Sequence, residues 1–341
     1  MGKAVTIKDI AEALKLSRNT VSKALNGQNV PNKTRELVFK KARELNYKSF
    51  DSELLKSKKY RILLLSGKPF HNMSFFVPLV NSIETYCYDN NYDFFEYTYN
   101  SETTSFGKIK AYINSLQVDG IVAIECFDDK LVNNLLSMNI PMCFIDFPGY
   151  KFDPISRFDL ICSSDQKSVC EYVKTLIAQH NLRRFTFVGD FRHCLSFHER
   201  YMGMLRGLTR TNTPHELDED IVKTDGVFDY GDIHALKNEI LKLRHLPECF
   251  VCCNDFVARR VIKALKELGH EIPKDTMVVG FDDTSDATND SPTLTTFFVD
   301  KANLGRGAIK VLINRIERKD CPTTTIMIDT ELVIRESTSN K

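Results

Sequence analysis

Residues 16–27 read LSRNTVSKALNG, a short amphipathic segment with a start signal and a stop signal for a helix. Ser17 can cap the first turn with its hydroxyl group, and the pair Asn26-Gly27 can end the helix because both residues tolerate positive φ. The apolar residues between these signals recur at helical spacing and are predicted to face a core: Val21, Ala24 and Leu25. The segment is therefore predicted to be one short helix with an apolar face and a polar face.

The polar face of this helix carries side chains that suit DNA. They are Arg18, Asn19, Thr20, Ser22 and Lys23. An Arg side chain can pair with O6 and N7 of guanine, and an Asn side chain can pair with N6 and N7 of adenine. Short hydroxyl side chains and the amides of a helix N-terminus suit phosphate groups. An ordinary solvated helix face would also be polar, but the capping residues, the spacing and the charged surroundings together favour a DNA-reading helix.

Two further helices flank this segment. Thr6 followed by Asp9 predicts the start of a helix whose inward residues are apolar: Ile7, Ile10, Ala11 and Leu14. Asn32 predicts the cap of a third helix that extends to about residue 46, and its inward residues are Leu37, Val38, Ala42 and Leu45. Two short helices joined by a tight turn, with a third that closes the core, form the helix-turn-helix plan.

Basic and acidic residues are distributed unevenly along the chain. Residues 1–60 hold 14 Lys and Arg residues against 6 Asp and Glu residues, whereas residues 61–341 hold 32 against 39. A basic head on a mildly acidic body predicts a polyanionic partner for the head alone. The sequence has no apolar run long enough for a transmembrane helix and no apolar signal segment at its start, so we expect no membrane partner and a cytoplasmic location.

The head resembles the DNA-binding head of the LacI/GalR (lactose-repressor) family. The resemblance rests on VTIKDIAEALKLSRNTVSKALNG and KTRELVFKKARELNY. It implies that Arg18, Asn19 and Lys23 read bases. A second group is implied to contact the DNA backbone or to cap helices: Ser17, Thr20, Ser22, Asn26 and Thr34. Lys15 stands where the family usually has the glycine of the turn, which costs about 1 kcal/mol in a left-handed conformation, so we expect an adjusted turn rather than a lost one.

The linker after the head departs from the family pattern. In that family the linker usually begins x-P-N, forms a short helix on DNA and inserts a Leu into the minor groove. Here Ser49 and Phe50 replace Pro and Asn, and Lys56 occupies the Leu position. Leu54 and Leu55 lie just upstream, so a shortened hinge could still present one of them as the wedge. The alternative is a linker that only tethers the head, and the sequence leaves both open.

Short apolar runs alternate with helical periods after residue 60. RILLLS, GIVAIE, MCFID, RFTFVGD and MVVGFD are strand-like, whereas SVCEYVKTLIAQH and FVARRVIKALKELG have helical periodicity. This βαβα order predicts parallel sheets with helices on both faces, and about 280 residues are more than one such sheet needs. We expect two similar lobes that bind ligands at the carboxyl ends of their strands. The predicted organisation is an all-α helix-turn-helix domain over residues 1–48, a hinge over 49–60 and a two-lobed α/β body over 61–341.

The body resembles the effector-binding core of the same family, which has the fold of periplasmic sugar-binding proteins. The matching segments include VDGIVAIE, IPMCFID, HERYMGMLRGL, CNDFVARRVIKALKELGHEIPKD and VVGFDD. The resemblance implies a cleft between the lobes and these ligand contacts: Asp165, Arg200, Phe228, Asn254 and Asp282, with Ser196 as a further candidate. Arg200 is implied to grip hydroxyl or carboxylate groups, and Phe228 to stack on the ligand. The structural alternative is that Arg200 pairs with a helix-end carboxylate and that Phe228 belongs to a core.

These features predict a ligand-responsive transcriptional repressor of carbohydrate-related genes. It is expected to bind a near-palindromic DNA operator as a homodimer, with a small molecule, a sugar or a sugar phosphate, as its effector. A solute-binding protein without DNA function is the alternative, and the basic head argues against it. An enzyme is less expected, because the sequence has no G-x-S-x-G, Walker A or H-E-x-x-H motif and the adjacent Asp282 and Asp283 would point to opposite faces.

The ten cysteines lie mostly in apolar runs, which favours buried free thiols in a reducing compartment. Cys249-x-x-Cys252 is a lone pair with no second pair nearby, so zinc or redox chemistry is a weak alternative. We therefore expect no metal, no cofactor and no catalytic residue.

Overall fold

The structure is a computed structural model, and it describes residues 5–25, 30–45, 47, 59–68, 74–100, 103–147, 158–318 and 320–339. The chain divides into two compact units. One consists of Met1–Tyr60 with Asn91–Asp93, and the other of Arg61–Asn90 with Phe94–Lys341. We call them the head and the body. Most of the predicted hinge, including Leu54 and Leu55, lies outside the described residues.

The head contains the three helices that the sequence predicts: α1 (Ile7–Leu14), α2 (Arg18–Leu25) and α3 (Asn32–Glu44). A capping box starts α1, in which the Thr6 amide donates to Oδ2 of Asp9 at 2.7 Å. The three helices share one small core, which consists of Ile10, Ala11, Val21, Ala24, Leu25, Val38, Ala42 and Tyr47. The prediction of a helix-turn-helix head is confirmed.

The turn between α1 and α2 is kept although it lacks a glycine. Lys15 has φ 53° and ψ 38°, in the left-handed region, and its amide donates to the carbonyl groups of Ala11 and Glu12. These two hydrogen bonds satisfy carbonyl groups that the end of a helix would otherwise leave unpaired. The left-handed position therefore remains where the resemblance implies it, with Lys15 itself adopting the conformation.

The prediction that Leu37 faces the head core is wrong. Leu37 is 49% exposed, whereas Val38 and Ala42 are fully buried. Residues four apart share a helix face, and a neighbouring residue is rotated by about 100°. Because Val38 and Ala42 occupy the inward stripe of α3, Leu37 points away from the core.

The body consists largely of alternating strands and helices. Its first part contains, in chain order, β1 (Arg61–Ser66), α4 (Phe76–Asp89), β2 (Asp93–Thr98), α5 (Phe106–Leu116), β3 (Gly120–Ile124), α6 (Asp129–Leu136), β4 (Met142–Ile145) and β5 (Asp159–Ser163). The remainder contains α7 (Asp165–His180), β6 (Phe185–Val188), α8 (Leu195–Arg210), α9 (Ile233–Lys242), β7 (Cys249–Cys252), α10 (Asp255–Glu267), β8 (Met277–Val279), β9 (Thr296–Phe298), α11 (Lys301–Glu317), β10 (Thr325–Ile328) and β11 (Glu331–Val333).

The first lobe is built on a six-stranded sheet with the order β10-β5-β4-β3-β1-β2. The pairs β1–β3, β3–β4, β4–β5 and β5–β10 are parallel. Ile121 and Ala123 of β3 belong to a core that includes apolar residues of α5 and α6. Gly120 faces the other way, where an added Cβ would lie 2.9 Å from Leu312 of α11. Since successive residues of a strand face opposite sides, helices cover both faces of this sheet.

The second lobe is built on a parallel sheet with the order β6-β7-β8, against which α10 packs. Strands β9 and β11 form a separate antiparallel pair. The predicted architecture of parallel sheets flanked by helices is therefore confirmed, and the strands of both sheets end in polar loops that form a cleft. None of the helices in the described ranges combines the length and the apolar character needed to cross a membrane. All ten cysteines are free, and nine of them are buried.

Candidate functional sites

The α2 helix presents a polar surface at its first turn. Arg18, Asn19 and Lys23 are exposed, whereas Thr20 is half-buried. Ser17 caps the helix, because its Oγ accepts a hydrogen bond from the Thr20 amide at 3.0 Å and lies 2.8 Å from Thr20 Oγ1. The cap orients the start of the helix and leaves the longer polar side chains pointing to solvent. This arrangement suits a helix N-terminus that enters the major groove.

Two further predicted DNA contacts, Ser22 and Thr34, lie on the described helices α2 and α3. Ser22 is half-buried on α2. Thr34 is half-buried in the first turn of α3, and its amide donates to the Pro31 carbonyl at 2.9 Å. Asn26, like Leu54 and Leu55, lies outside the described residues.

The body contains a cavity of about 710 Å³ between the carboxyl ends of the two sheets. Residues that follow β1, β3 and β4 line one side, and residues from α8 and from the loops after β6, β7 and β8 line the other. Five of the six predicted ligand contacts line it: Ser196, Arg200, Phe228, Asn254 and Asp282. The sixth, Asp165, is fully buried behind Arg200 and is not part of the wall.

Arg200 is the centre of the polar contacts in this cleft. Its Nε donates to Oδ2 of Asp165 at 2.8 Å, its Nη1 to the Cys253 carbonyl at 2.6 Å, and its Nη2 to Oδ1 of Asp282 at 3.2 Å. Its guanidinium lies 3.8 Å from the centre of the Phe281 ring. These contacts come from three separate segments of the chain, so the guanidinium is fixed before any ligand binds.

The electrostatics of this network favour a charged Arg200. Burial opposes the charge, but the carboxylates of Asp165 and Asp282 outweigh that effect and raise the pKa of Arg200. Burial raises the pKa of Asp282 to about 7, against the opposing effect of Arg200. Burial also raises the pKa of Asp165, again opposed by Arg200. One cation therefore holds two buried carboxylates, of which only Asp282 reaches the cleft.

The segment after β8 positions Asp282 through an unusual backbone. Asp282 and Asp283 have φ of 110° and 46°, values that side-chain-bearing residues rarely adopt. Lys301, at the start of α11, donates through Nζ to the carbonyl groups of Asp282, Asp283 and Val299. Lys301 is only 6% exposed, and burial lowers its pKa. A buried ammonium group thus holds the backbone that presents the Asp282 carboxylate.

The other predicted contacts have defined partners. Oδ1 of Asn254 accepts from the Val257 amide at 2.9 Å and caps α10, which leaves its Nδ2 group as the donor on the cleft side. Ser196 donates through Oγ to Oδ2 of Asp146 at 2.6 Å. The Phe228 ring lies 4.9 Å from the Tyr230 ring in an edge-to-face arrangement.

Several cleft residues were missed by the sequence analysis. Glu125 and Asp146 directly follow the buried strands β3 and β4, and Lys68, His193 and Asp225 complete a second polar cluster in the wall. The acids could have been found, because polar residues directly after parallel strands mark the ligand-binding edge. Nothing in the local sequence distinguishes the other three from ordinary loop residues.

This second cluster contains two close contacts. Lys68 Nζ lies 2.8 Å from Oε2 of Glu125, and His193 Nδ1 lies 3.3 Å from Oδ2 of Asp225. Burial, reinforced by Lys68, lowers the pKa of His193 to about 4, so its ring is neutral at pH 7. Burial and the nearby Asp190 raise the pKa of Asp225 to about 6.

The carboxylates of Asp282 and Asp283 do not form a catalytic pair. Asp282 contacts Arg200, whereas Oδ1 of Asp283 lies 2.7 Å from Arg335 Nη2. The two acids therefore point to different partners, as the sequence predicts for neighbouring residues. Among the residues described, no group of three or more His, Cys, Asp or Glu side chains is arranged to hold a metal ion.

Comparison with known proteins finds family matches in the head and in the body. Residues 6–49 match the family described as bacterial regulatory proteins, lacI family, and residues 173–338 match the periplasmic binding protein-like domain. The HTH-type transcriptional repressor PurR of Mannheimia succiniciproducens is 28% identical over 341 residues, which cover 97% of this chain and 98% of that protein.

Solved structures share the fold along almost the whole chain. A complex of the transcriptional regulator CelR with cellobiose has a TM-score of 0.71 and 19% identity, and covers 98% of this chain and 99% of that one. The lac repressor dimer bound to operator and the anti-inducer ONPF has a TM-score of 0.67 and 22% identity, with the same coverage. The head and the body each match a family model, and the similar proteins are transcriptional regulators rather than enzymes. The chain therefore belongs to the LacI/GalR family and is a ligand-responsive DNA-binding transcriptional regulator.

Proposed function

We propose that this regulator is a repressor that binds a near-palindromic operator as a homodimer, under the control of a sugar bound in the cleft. The observation that carries the proposal is the convergence of Arg200, Asn254 and Asp282 on one cavity of about 710 Å³, in a chain whose head exposes a polar reading helix. Cavities of this size suit small ligands, and a few convergent polar groups set their orientation.

The proposed DNA contacts follow from the exposed face of α2. Arg18 and Asn19 lie in its first turn, where a recognition helix contacts base edges. Lys23 lies further along the same helix. Ser17 and Thr20, at the N-terminus, suit phosphate contacts that fix the register of the helix on DNA. Such contacts to DNA require a location where DNA is present, so we propose the cytoplasm.

The homodimer follows from the small size of the head. One helix-turn-helix head reads only a few base pairs, too few to select one site among the many competing sites of a genome. Two heads related by a two-fold axis double the number of bases read and require a near-palindromic site. The lac repressor neighbour is a dimer on its operator, which supports the same assembly here.

The cleft suits a polyhydroxylated ligand. Carboxylates and an amide side chain offer acceptors and donors for hydroxyl groups, and the Phe228 ring offers an apolar face for the C–H groups of a sugar. The CelR neighbour binds cellobiose, which supports a saccharide of this general kind. The proposed contacts are Ser196, Arg200, Phe228, Asn254 and Asp282, with Asp165 acting on the ligand through Arg200.

A DNA-binding titration tests the proposal. The full chain is titrated by fluorescence anisotropy against the region upstream of its own gene, with and without each member of a panel of sugars and sugar phosphates. We expect specific binding that at least one compound changes. A solute-binding protein without DNA function would show ligand binding but no preference for any DNA sequence, and that result would overturn the proposal. Analytical ultracentrifugation that finds a monomer at micromolar concentration, on and off DNA, would overturn the dimer.

The cleft assignment is tested with Arg200→Ala and a surface control, Arg183→Ala. Arg183 is exposed and does not line the cavity. Arg200→Ala should lose the response to the compound but keep operator binding, because the reading helix is in the head. Unchanged affinity for the compound in Arg200→Ala would remove Arg200 from the binding site.

A further inference from the structure

The charged side chains that line the cleft are more acidic than basic. Lys68, Arg200 and Arg259 are the basic residues of the described wall. Against them stand five acids: Glu125, Asp146, Asp225, Asp282 and Asp286. The charge that an effector meets depends on which of these groups already neutralise one another.

All three basic residues are already paired with carboxylates. Lys68 lies 2.8 Å from Glu125, and Arg259 lies 2.7 Å from Asp290 at the rim. Arg200 is shared between Asp165 and Asp282, so its single positive charge faces two carboxylates. No basic side chain of the described wall is therefore left to neutralise an anionic ligand.

Two cleft carboxylates form no ion pair with a Lys or Arg of the described residues. Asp146 accepts hydrogen bonds from the Ser196 hydroxyl at 2.6 Å and from the amides of Phe147 and Ser196 at 2.7 Å and 3.2 Å. Asp225 lies beside His193, whose ring is neutral at pH 7 because burial lowers its pKa. Within the described part of the chain, neither Asp146 nor Asp225 has a Lys or Arg within ion-pairing distance.

An anionic ligand would therefore meet an excess of negative charge in the described wall. Like charges repel strongly in a partly buried site, where the effective dielectric constant is well below that of water. Burial and Asp190 raise the pKa of Asp225 against the opposing effect of Lys68, and a second anion nearby would raise that pKa further and so oppose binding. A hydroxyl group of a ligand would instead favour binding, because it donates a hydrogen bond to a carboxylate without adding charge.

We propose that the cleft binds uncharged polyhydroxylated molecules and rejects their phosphate esters, and that Asp146 and Asp225 set this selectivity. The proposal rests on the proposed function of the cleft as an effector site, and it narrows the effector class from sugars and sugar phosphates to unphosphorylated sugars. Asp146, on the first lobe, and Asp225, on the second, are selectivity residues that the resemblance did not indicate.

The experiment compares matched compounds on the full chain by thermal shift and equilibrium titration at constant ionic strength. The probes are D-ribose and ribose 5-phosphate, D-glucose and glucose 6-phosphate, cellobiose, and inorganic phosphate. We expect at least one uncharged sugar to raise the melting temperature of the body, and no phosphate to do so. For the sugar that binds, its phosphate ester should bind at least tenfold more weakly.

Charge removal tests the assignment to the two residues. The double variant Asp146→Asn/Asp225→Asn should raise the affinity for the phosphate ester roughly tenfold relative to the wild type, because it removes two negative charges from the cleft. Asp329→Asn is the matched control, since it removes the same kind of charge beside Lys167, and neither Asp329 nor Lys167 lines the cavity. That control should leave the selectivity unchanged.

The outcomes separate this proposal from the proposed function. A phosphate ester that binds the wild type as tightly as its parent sugar would overturn the charge argument and leave the effector site in place. Selectivity that persists in the double variant would show that other residues set it, and would also overturn the proposal. No binding by any compound would count against a sugar-binding cleft and against this proposal together.

Discussion

Asp165 and Arg200 form a buried ion pair in which Arg200 Nε donates to Asp165 Oδ2 at 2.8 Å, with relative side-chain exposures of 0% and 4%. Asp165 begins α7 and Arg200 lies on α8, two helices that pack against each other. Only Arg200 lines the cleft. The pair therefore links the packing of the second lobe to the orientation of a proposed ligand contact.

Removing Asp165 should destabilise the body strongly. Asp165→Ala leaves a buried guanidinium with one carboxylate instead of two, and breaking a buried ion pair by removing one member costs about 3–5 kcal/mol. We expect the free energy of unfolding, measured by urea denaturation, to fall by that amount. The control is Asp329→Ala, which removes the carboxylate of an exposed ion pair with Lys167 and should change the stability little. Equal losses in the two variants would contradict a special role for Asp165.

The stability of the body should depend on pH through Asp225. Burial raises its pKa from an ordinary value of 3.8 to about 6, so the folded state holds this proton more tightly than the unfolded state. The resulting stabilisation is complete below about pH 4 and is lost as the pH rises to about 6. Asp225→Asn removes this titration. We expect the stability of the variant relative to the wild type to be about 2 kcal/mol more favourable at pH 7 than at pH 4.

Urea denaturation of both proteins at a series of pH values measures this difference. Curves for the variant and the wild type that run parallel between pH 4 and pH 7 would show that Asp225 does not titrate in this range. The comparison of the two proteins is needed because Asp282 and Asp255, whose pKa values burial also raises, titrate in both.

Lys301 should support effector binding without touching the effector. Lys301→Met keeps most of the side-chain stem but removes the donors to the Asp282, Asp283 and Val299 carbonyl groups. Because buried acceptors then lack a partner, we expect a loss of about 1–3 kcal/mol in unfolding free energy. We also expect weaker binding of the sugar that the panel identifies, since the left-handed backbone at Asp282 loses its support.

Lys310→Met is the matched control, at an exposed position on the same helix. Thermal unfolding and sugar titration of both variants check the expectation. If Lys301→Met lost stability but kept full sugar affinity, Lys301 would be structural alone and would not position Asp282.

The sequence predicted the elements of the fold better than the composition of the cleft. Helix and strand periods depend on local apolar spacing, so the three head helices and the parallel sheets could be read directly. The prediction for Leu37 was wrong because apolar spacing alone does not decide which of two adjacent apolar residues, Leu37 or Val38, faces the core. Glu125 and Asp146 converge with Asp225 only after distant strands align, which no local pattern specifies. The sequence also could not show that Asp165 lies behind Arg200, because the packing of α7 against α8 decides which of the two reaches the cleft.

The side chains on α2 should separate by role in DNA binding. Arg18→Ala or Asn19→Ala should each lose about 1–3 kcal/mol of binding free energy on the matched operator and relax the preference at one base pair, because each can pair with one base through two hydrogen bonds. Lys23→Ala should relax specificity less, because an ammonium group reaches one acceptor at a time and lacks the planar fork of Arg.

Titrations on an operator selected from random DNA, and on its single-base variants, measure these losses. Lys8→Ala is the control, because Lys8 is an exposed basic residue of α1, 3.7 Å from Glu12, and lies outside the reading helix. Its removal should leave the order of preference among operators unchanged. If Arg18→Ala and Asn19→Ala both kept the wild-type preference, α2 would not be the reading helix, and the polar face of LSRNTVSKALNG would be an ordinary solvated surface.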